Sequence, residues 1–339
     1  MRSNFLAAVL AALTPLAALA QDAAPPRAPP VPEASLSLPP GEGGYILEKV
    51  GDRLWWAGNG FYQVLIMEGP KGVAVVDAPP SMLGLTRAAV AEATGGREIT
   101  HLVYSHGHGD HIGAAGALAP EGSGIEIVAH AATAAQIARG APCLDCADVE
   151  TPRPMPTVTF EEDHTLDLGD GQVLELHYPG PNHQDGNIFV HAPNHGSLMI
   201  VDVIYPGWVP FDLLALSSDI PGWLDAYEAA LDYEFDTFVG GHLGRAGTRA
   251  DVEEVRAYIL DVEAAARAVL EGLDRGAFVG EMGAEAGFEN PWFLFDAYSQ
   301  RMAEDCAAPV IAEWASKLGG VETFAEGHCL RMQYALRID

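Results

Sequence analysis

His106-Gly107-His108-Gly109-Asp110-His111 decides how this chain is read. Three imidazoles and one carboxylate fall within six residues, directly after the apolar, strand-like run 99–105. Neutral imidazole is the commonest metal ligand in proteins, and aspartate adds a hard anionic oxygen. Glycines at 107 and 109 let the backbone turn tightly, so neighbouring side chains can converge on one point. A histidine-rich surface turn accounts for one such residue, not for four between two glycines. The stretch predicts a metal site at the end of a strand.

One loop cannot supply every ligand, so further histidines and aspartates are expected at other strand ends. Three places stand out. His183 lies on the proline- and glycine-rich loop 179–187, after the strand-like run 173–178. Asp202 ends the apolar run 198–201, where a charge is costly unless paired or metal-bound. His242 follows Phe238-Val239-Gly240-Gly241 and is followed by Leu243-Gly244. Asp77 ends a fourth apolar run, 73–76.

Working outward, residues 1–20 read as a secretory leader. Arg2 is the positive start, Phe5–Leu19 the apolar stretch, and Ala18-Leu19-Ala20 the small-residue cleavage site. The apolar run is short for a membrane span. The mature chain is therefore expected to start near Gln21 and to be periplasmic or secreted, with no membrane insertion. Residues 21–43 read as a proline-rich linker, mobile and dispensable, with order beginning at 44–50.

Strands are expected at 54–57, 62–68, 73–77, 99–105, 125–130, 157–160, 164–168, 173–178, 188–191, 198–203 and 237–240. Helices are expected at 82–94, 112–118, 131–139, 224–231, 249–272 and 296–318. Two strand-rich halves, each followed by helices, suggest two sheets face to face with helices outside. The strands and the metal motif fall within residues 44–250, expected to be the catalytic domain, and a C-terminal helical extension over 251–339 is expected to pack on the same domain.

The composition is that of a globular protein, 49% hydrophobic. The formal net charge is −29. Such a body repels nucleic-acid phosphates and anionic membranes. A small-molecule substrate is the expected partner, and a homo-oligomer is left open. Cys143, Cys146, Cys306 and Cys329 permit two disulfides in an oxidising compartment, 143–146 and 306–329. Free thiols and half of a four-thiolate zinc site are the alternatives for them.

The ordered set Asp77, His106-x-His108-x-Asp110-His111, His183, Asp202 and His242 resembles the metallo-β-lactamase superfamily, over roughly residues 45–250. The resemblance implies an α+β four-layer αββα sandwich with the site at one edge of the sheets. It implies one metal on His106, His108 and His183, and a second on Asp110, His111 and His242. Asp202 would bridge the two, and Asp77 would hold the metal loop from behind. Two Zn²⁺ are implied, with iron or manganese as alternatives. Two such cations about 3.5–4 Å apart hold a hydroxide at neutral pH and polarise a carbonyl or phosphoryl oxygen. The remaining histidines (101, 130, 164, 177, 191, 195 and 328) are read as solvated or packed.

The zinc β-lactamases of this superfamily generally carry Cys or Ser where Asp202 stands. An aspartate there is similar to its lactonases, glyoxalase II-type thioesterases and phosphodiesterases. Some of the lactonases place a tyrosine three residues further on, as Tyr205 does here, though a packing role fits Tyr205 equally. The expected activity is hydrolysis of a lactone or another carboxylic ester, with Asp110 and Tyr205 as catalytic residues. β-Lactam, thioester and phosphodiester hydrolysis and iron-dependent sulfur dioxygenation are the alternatives. The flavin-linked di-iron branch usually has Glu where His108 stands. Tyr205, Trp208 and Phe211 lie on an aromatic loop that either walls an apolar pocket or plugs the gap between sheet and helix. Arg245 or Arg249 either fixes a substrate carboxylate or pairs with Asp251 and Glu253.

Overall fold

The computed structural model describes residues 28–140 and 153–339. The expected leader, the start of the linker, and the pair Cys143 and Cys146 lie outside the described residues. Residues 31–339 form one compact unit.

Alternating side chains build the sandwich. The first sheet runs β1 (Ile46–Gly51), β2 (Leu54–Gly58), β3 (Gln63–Gly69), β4 (Gly72–Val76), β5 (His101–Val103), β6 (Glu126–His130) and β7 (Val158–Phe160), in that spatial order. Pairing is antiparallel from β1 to β4 and parallel from β4 to β7. The second sheet has the order β12 (Thr237–Val239), β11 (Ser197–Ile200), β10 (Phe189–Ala192), β9 (Val173–His177), β8 (Asp163–Asp167). Only its β11–β12 pair is parallel.

Strand side chains point to opposite faces with period two. Leu65 and Met67 of β3 therefore meet Leu174, Leu176, Val190 and Met199 between the sheets. Val64 and Ile66 face the other way, onto Met82, Ala89 and Val90 around α1 (Leu83–Thr94). The same outer layer holds α2 (Gly109–Ile112), α3 (Ala115–Leu118) and α4 (Ala131–Ala138). The expected single helix over 112–118 is two one-turn segments.

On the outer face of the second sheet, Phe189, Leu198, Ile200 and Phe238 pack against α6 (Ile220–Leu231), α7 (Arg249–Gly272), α9 (Pro291–Trp314) and α10 (Val321–Ile338). The result is an αββα sandwich whose fourth layer is thickened by C-terminal helices. Two further segments complete the fold: the one-turn α5 (Asp212–Ala215) and α8 (Arg275–Ala286). A disulfide joins Cys306 of α9 to Cys329 of α10, with Cα atoms 5.9 Å apart, as expected for that pair. Among the described residues, no helix is long and apolar enough to cross a membrane.

The linker expectation needs correction for residues 33–38. Glu33–Ser35 is a 3-10 turn, and Ser35 is buried. Its hydroxyl donates to Gly207 O (2.5 Å) and accepts from Gly319 N (2.9 Å). Leu38 N donates to Gly244 O (2.8 Å). The prolines fix an extended path that lies along the body instead of leaving it.

Candidate metal centre

Each expected ligand lies just beyond the C-terminal end of a strand, and all converge at one end of the sandwich. His106, His108, Asp110 and His111 follow β5, His183 follows β9, Asp202 follows β11 and His242 follows β12. Asp77 and Asp202 both leave their strands with left-handed backbone (φ 69° and 62°). Aspartate tolerates this region better than most residues, and the turn swings each carboxylate sideways out of the strand direction. Gly107 lets two glutamine side chains come close to the metal loop. A Cβ there would lie 2.1 Å from Gln136 Oε1 and 2.9 Å from Gln184 Oε1.

Two groups of donor atoms result: His106, His108, His183 and Asp202, and beside them Asp110, His111 and His242. Within each group the atoms lie within 4.8 Å of one another. Asp202 touches both groups. Its Oδ2 is 3.4 Å from His106 Nε2, 3.3 Å from His183 Nε2 and 3.2 Å from His111 Nε2. Its Oδ1 is 2.8 Å from His242 Nε2.

The surroundings set which nitrogen carries each lone pair. Buried Asp77 accepts from Ser105 N (2.8 Å) and from the Ser105 hydroxyl (2.7 Å). The serine oxygen then faces His106 Nδ1 as an acceptor at 3.0 Å. The proton of His106 belongs on Nδ1 and its lone pair on Nε2. His242 Nδ1 likewise donates to Phe61 O (3.0 Å), leaving Nε2 toward Asp202. Such outer hydrogen bonds orient metal-ligating histidines. His106 Nε2 is buried without a hydrogen-bond partner, a costly arrangement that a cation would relieve. The donor set and this orphaned nitrogen fit divalent metal.

Charge is strongly redistributed here. Burial pulls His108 down to about 4, reinforced by neighbouring His106, and pulls His183 well below the usual imidazole range. Both are neutral, the form that ligates. Burial acts against the charge of Asp202, but His111, His242 and His183 outweigh it and hold its carboxyl well below the usual range. Burial also opposes protonation of His111, yet Asp202, helped by Asp77, raises it well above the ordinary value. Tyr205 is pushed well upward by burial and then by Asp202, so it keeps its proton.

The expected substrate residues separate. Tyr205 reaches the centre: its hydroxyl donates to Asp202 Oδ1 (3.3 Å), and its ring stacks on His242. Phe211 is about half exposed. Trp208 is held elsewhere, its Nε1 donating to Ser35 O (2.7 Å) and its ring lying against Gly319. It is a clasp between the N-terminal segment and the α9–α10 turn, which is the plugging alternative. Arg245 is likewise engaged elsewhere, with Ala34 O (2.6 Å), Ala246 O (3.0 Å) and Asp251 Oδ1 (2.5 Å). Arg249 pairs with Glu253 (3.5 Å). Pairing with nearby acids is thus what both arginines do. Trp208 and Arg245 thus take the second of the two roles left open for each.

Several groups at the centre escaped sequence reasoning. Tyr62 OH donates to Asp110 Oδ2 (3.4 Å), and its ring lies 4.8 Å from that of His242. Gln184 Oε1 accepts from Gly107 N (2.8 Å), and Arg153 donates to Gly107 O (2.8 Å). Ser105 carries no ligand signature, and only its position beside His106 marks it. The other histidines lie outside both donor groups.

A family profile described as the metallo-beta-lactamase superfamily matches residues 57–242. The chain is 31% identical over 208 residues to the 2,4-dinitroanisole O-demethylase subunit alpha of Nocardioides sp. (strain JS1661), covering 60% of this chain. That alignment spans only 58% of the relative's own length. It is 25% identical over 212 residues to the acyl-coenzyme A thioesterase MBLAC2 of Homo sapiens, covering 50% of this chain and 72% of the relative. Among solved structures, the metallo-beta-lactamase from Pontibacter korlensis superposes with a TM-score of 0.53 at 19% identity, over 63% of this chain and 97% of its own. That last likeness is one of fold. With the profile spanning more than half of its residues, this chain belongs to the metallo-beta-lactamase superfamily.

Proposed function

We propose that the chain is a zinc-dependent hydrolase of lactones or other carboxylic esters. His106, His108 and His183 would hold one Zn²⁺, and Asp110, His111 and His242 a second. Asp202 would be shared, and it carries this reading: a single carboxylate lies within 3.4 Å of imidazole nitrogens from both donor groups. When bound, such ions supply Lewis acidity and a water acidic enough to attack a carbonyl at neutral pH.

The chain's own residues supply the rest. Tyr205 stays protonated and within reach of Asp202, placed to donate to the oxyanion that develops on the carbonyl oxygen. Asp110, partly exposed and touched by Tyr62 OH, is placed to take the proton of the attacking water and return it to the leaving oxygen. Buried Ser105 and Asp77 hold His106 in the ligating tautomer throughout.

A panel of lactones, aryl esters, thioesters, phosphodiesters and β-lactams, assayed on the zinc-loaded chain, tests this reading. Lactone or ester turnover should lead. Efficient β-lactam turnover with negligible ester cleavage overturns it. Thioester hydrolysis is the second reading, favoured by the similarity to a relative named as an acyl-coenzyme A thioesterase. Metal analysis should find two zinc ions per chain.

We further propose export, supported by the leader-like residues 1–20 and by the Cys306–Cys329 bridge, since disulfides persist in oxidising compartments. N-terminal sequencing should start near Gln21. A mature chain that keeps Met1 sinks this proposal.

A further inference from the structure

The loop after Asp202 ends in a turn of unusual hand. Leu213, Leu214, Ala215 and Leu216 have φ of 53°, 59°, 57° and 54°. None is glycine. Residues of this type visit the left-handed region singly, if at all, because each pays a steric penalty. Four in a row persist only where the surroundings impose them, and such strain gathers at active sites and ligand clamps.

Here α10 imposes it. His328 Nε2 donates to Pro210 O (3.0 Å) and lies 3.1 Å from Phe211 O, while its Nδ1 accepts from Tyr258 OH (2.7 Å). Asp212 Oδ1 accepts from Leu213 N (2.8 Å) and rests on Gly327, where a Cβ would lie 1.9 Å from it. The far end of the turn is tied to the metal centre. Ser217 Oγ is 3.4 Å from His183 Nδ1, and Ser218 N and Oγ donate to His183 O (2.9 and 3.2 Å). The turn buries Leu214 and Ala215 but leaves Phe211 51% and Leu216 58% exposed, one on each side of it. Two large apolar side chains are thus left about half exposed on a segment hydrogen-bonded to His183, the Phe211 ring lying edge-on to Phe324.

We propose that this turn is the wall that receives an apolar acyl chain of the substrate. Phe211 and Leu216 are its contact surface, and Gly327 and His328 are positioning residues. The proposal rests on the ester reading for the bond that is cut, and on the turn alone for the chain that is bound.

Calorimetric binding of straight-chain carboxylates, acetate to octanoate, to the zinc-loaded full chain reads the wall without turnover. Octanoate should bind at least about 30-fold more tightly than acetate, as burial of several methylenes requires. Leu216→Ala and Phe211→Ala, both at exposed positions, should each cut that ratio by about three- to tenfold. Gly327→Ala should cut it by displacing Asp212. His328→Ala should cut it too, and His328→Gln, which keeps a donor and an acceptor, should restore most of it. Phe288→Ala, equally exposed but beyond α8, should leave it unchanged. A wild-type ratio near one, or a ratio unmoved by Leu216→Ala and Phe211→Ala, overturns the wall. With p-nitrophenyl esters of the same acids, chain length should act through KM. No ester turnover with the octanoate preference intact removes the ester reading and keeps the wall. Turnover with a flat binding ratio does the reverse.

Discussion

Two irregular segments meet at the metal end of this molecule, and they are held by different parts of it. The metal loop, residues 104–111, is fastened by the first sheet: Asp77, at the end of β4, grips Ser105 twice, and Ala78 N donates to His111 O (2.7 Å). The loop over 203–216 is fastened by helices. Tyr227 of α6 donates to Val203 O (2.7 Å), His328 of α10 to Pro210 O, and Gly319 N to Gly207 O (3.0 Å). The first segment lies within the residues that match the family profile, with its fasteners. The second reaches for support beyond them, to α10 and to residues 33–38. The donor groups are therefore held by the sandwich, and the loop after Asp202 by what this chain adds to it.

The largest expected effect tests the sandwich side. Asp202→Ala should lose zinc and activity together, beyond the roughly 10²–10³-fold cost of removing a single oxyanion donor. Metal content measured beside kcat/KM checks it. A variant that keeps two zinc ions per chain would show that Asp202 is not shared between the groups.

Tyr205→Phe comes next and stands where the two regions touch. Its kcat on the best ester should fall by about 10²–10³-fold with zinc content unchanged. If it is silent on every ester, the tyrosine only packs, and the lactonase-like element of the proposal goes with it.

The helical side has a pH signature. Burial pulls His328 down to about 4, against an unfolded value near 6.5. A depressed folded pKa means its contribution is fully present above about pH 6.5 and is lost as pH falls toward 4. The shift corresponds to about 3 kcal/mol. Urea unfolding across pH 4–7 should show this slope in the wild type and a flatter one in His328→Gln. Superimposable curves would mean that neutral imidazole is not what fastens the loop.

The smallest effect concerns residues 33–38. A chain starting at Gly41 should be about 1–2 kcal/mol less stable than one starting at Val31, since it loses the Ser35 and Leu38 hydrogen bonds. Equal melting temperatures would restore the picture of a dispensable linker.

The contrast also shows what could be read from the residues alone. His106, His108, Asp110, His111, His183, Asp202 and His242 announce themselves, because ligand-type side chains clustered beside glycine or closing an apolar run are costly there unless a cation is bound. Most strands followed from apolar runs bounded by turn residues, though β1 was expected only as the start of order, and α7 followed from its long helical stretch, which the structure begins with a Thr248–Asp251 capping box. The supporting shell was silent, because serine, glutamine and tyrosine occur everywhere. Nothing in Leu213-Leu214-Ala215-Leu216 favours left-handed backbone, which is imposed from α10. The start of α9 at Pro291 was missed, although Asn290 caps it by accepting from Phe293 N (3.0 Å) and proline is well tolerated at that position. Arg245 had two readings of equal merit, and only the position of Asp251 chose between them.

The clasp at Ser35 has a consequence in time as well as in space. Its hydroxyl bonds Gly319 N across 284 positions of the chain. A polypeptide made from its N-terminus exposes Ser35 long before Gly319 exists. Loop closure over such a separation is entropically only slightly dearer than over half of it, but it has to wait for the helices that carry the far end. Residues 33–38 are therefore among the last to find their places. The loop they steady, the one bearing Tyr205 and Phe211, is completed only when folding is nearly over.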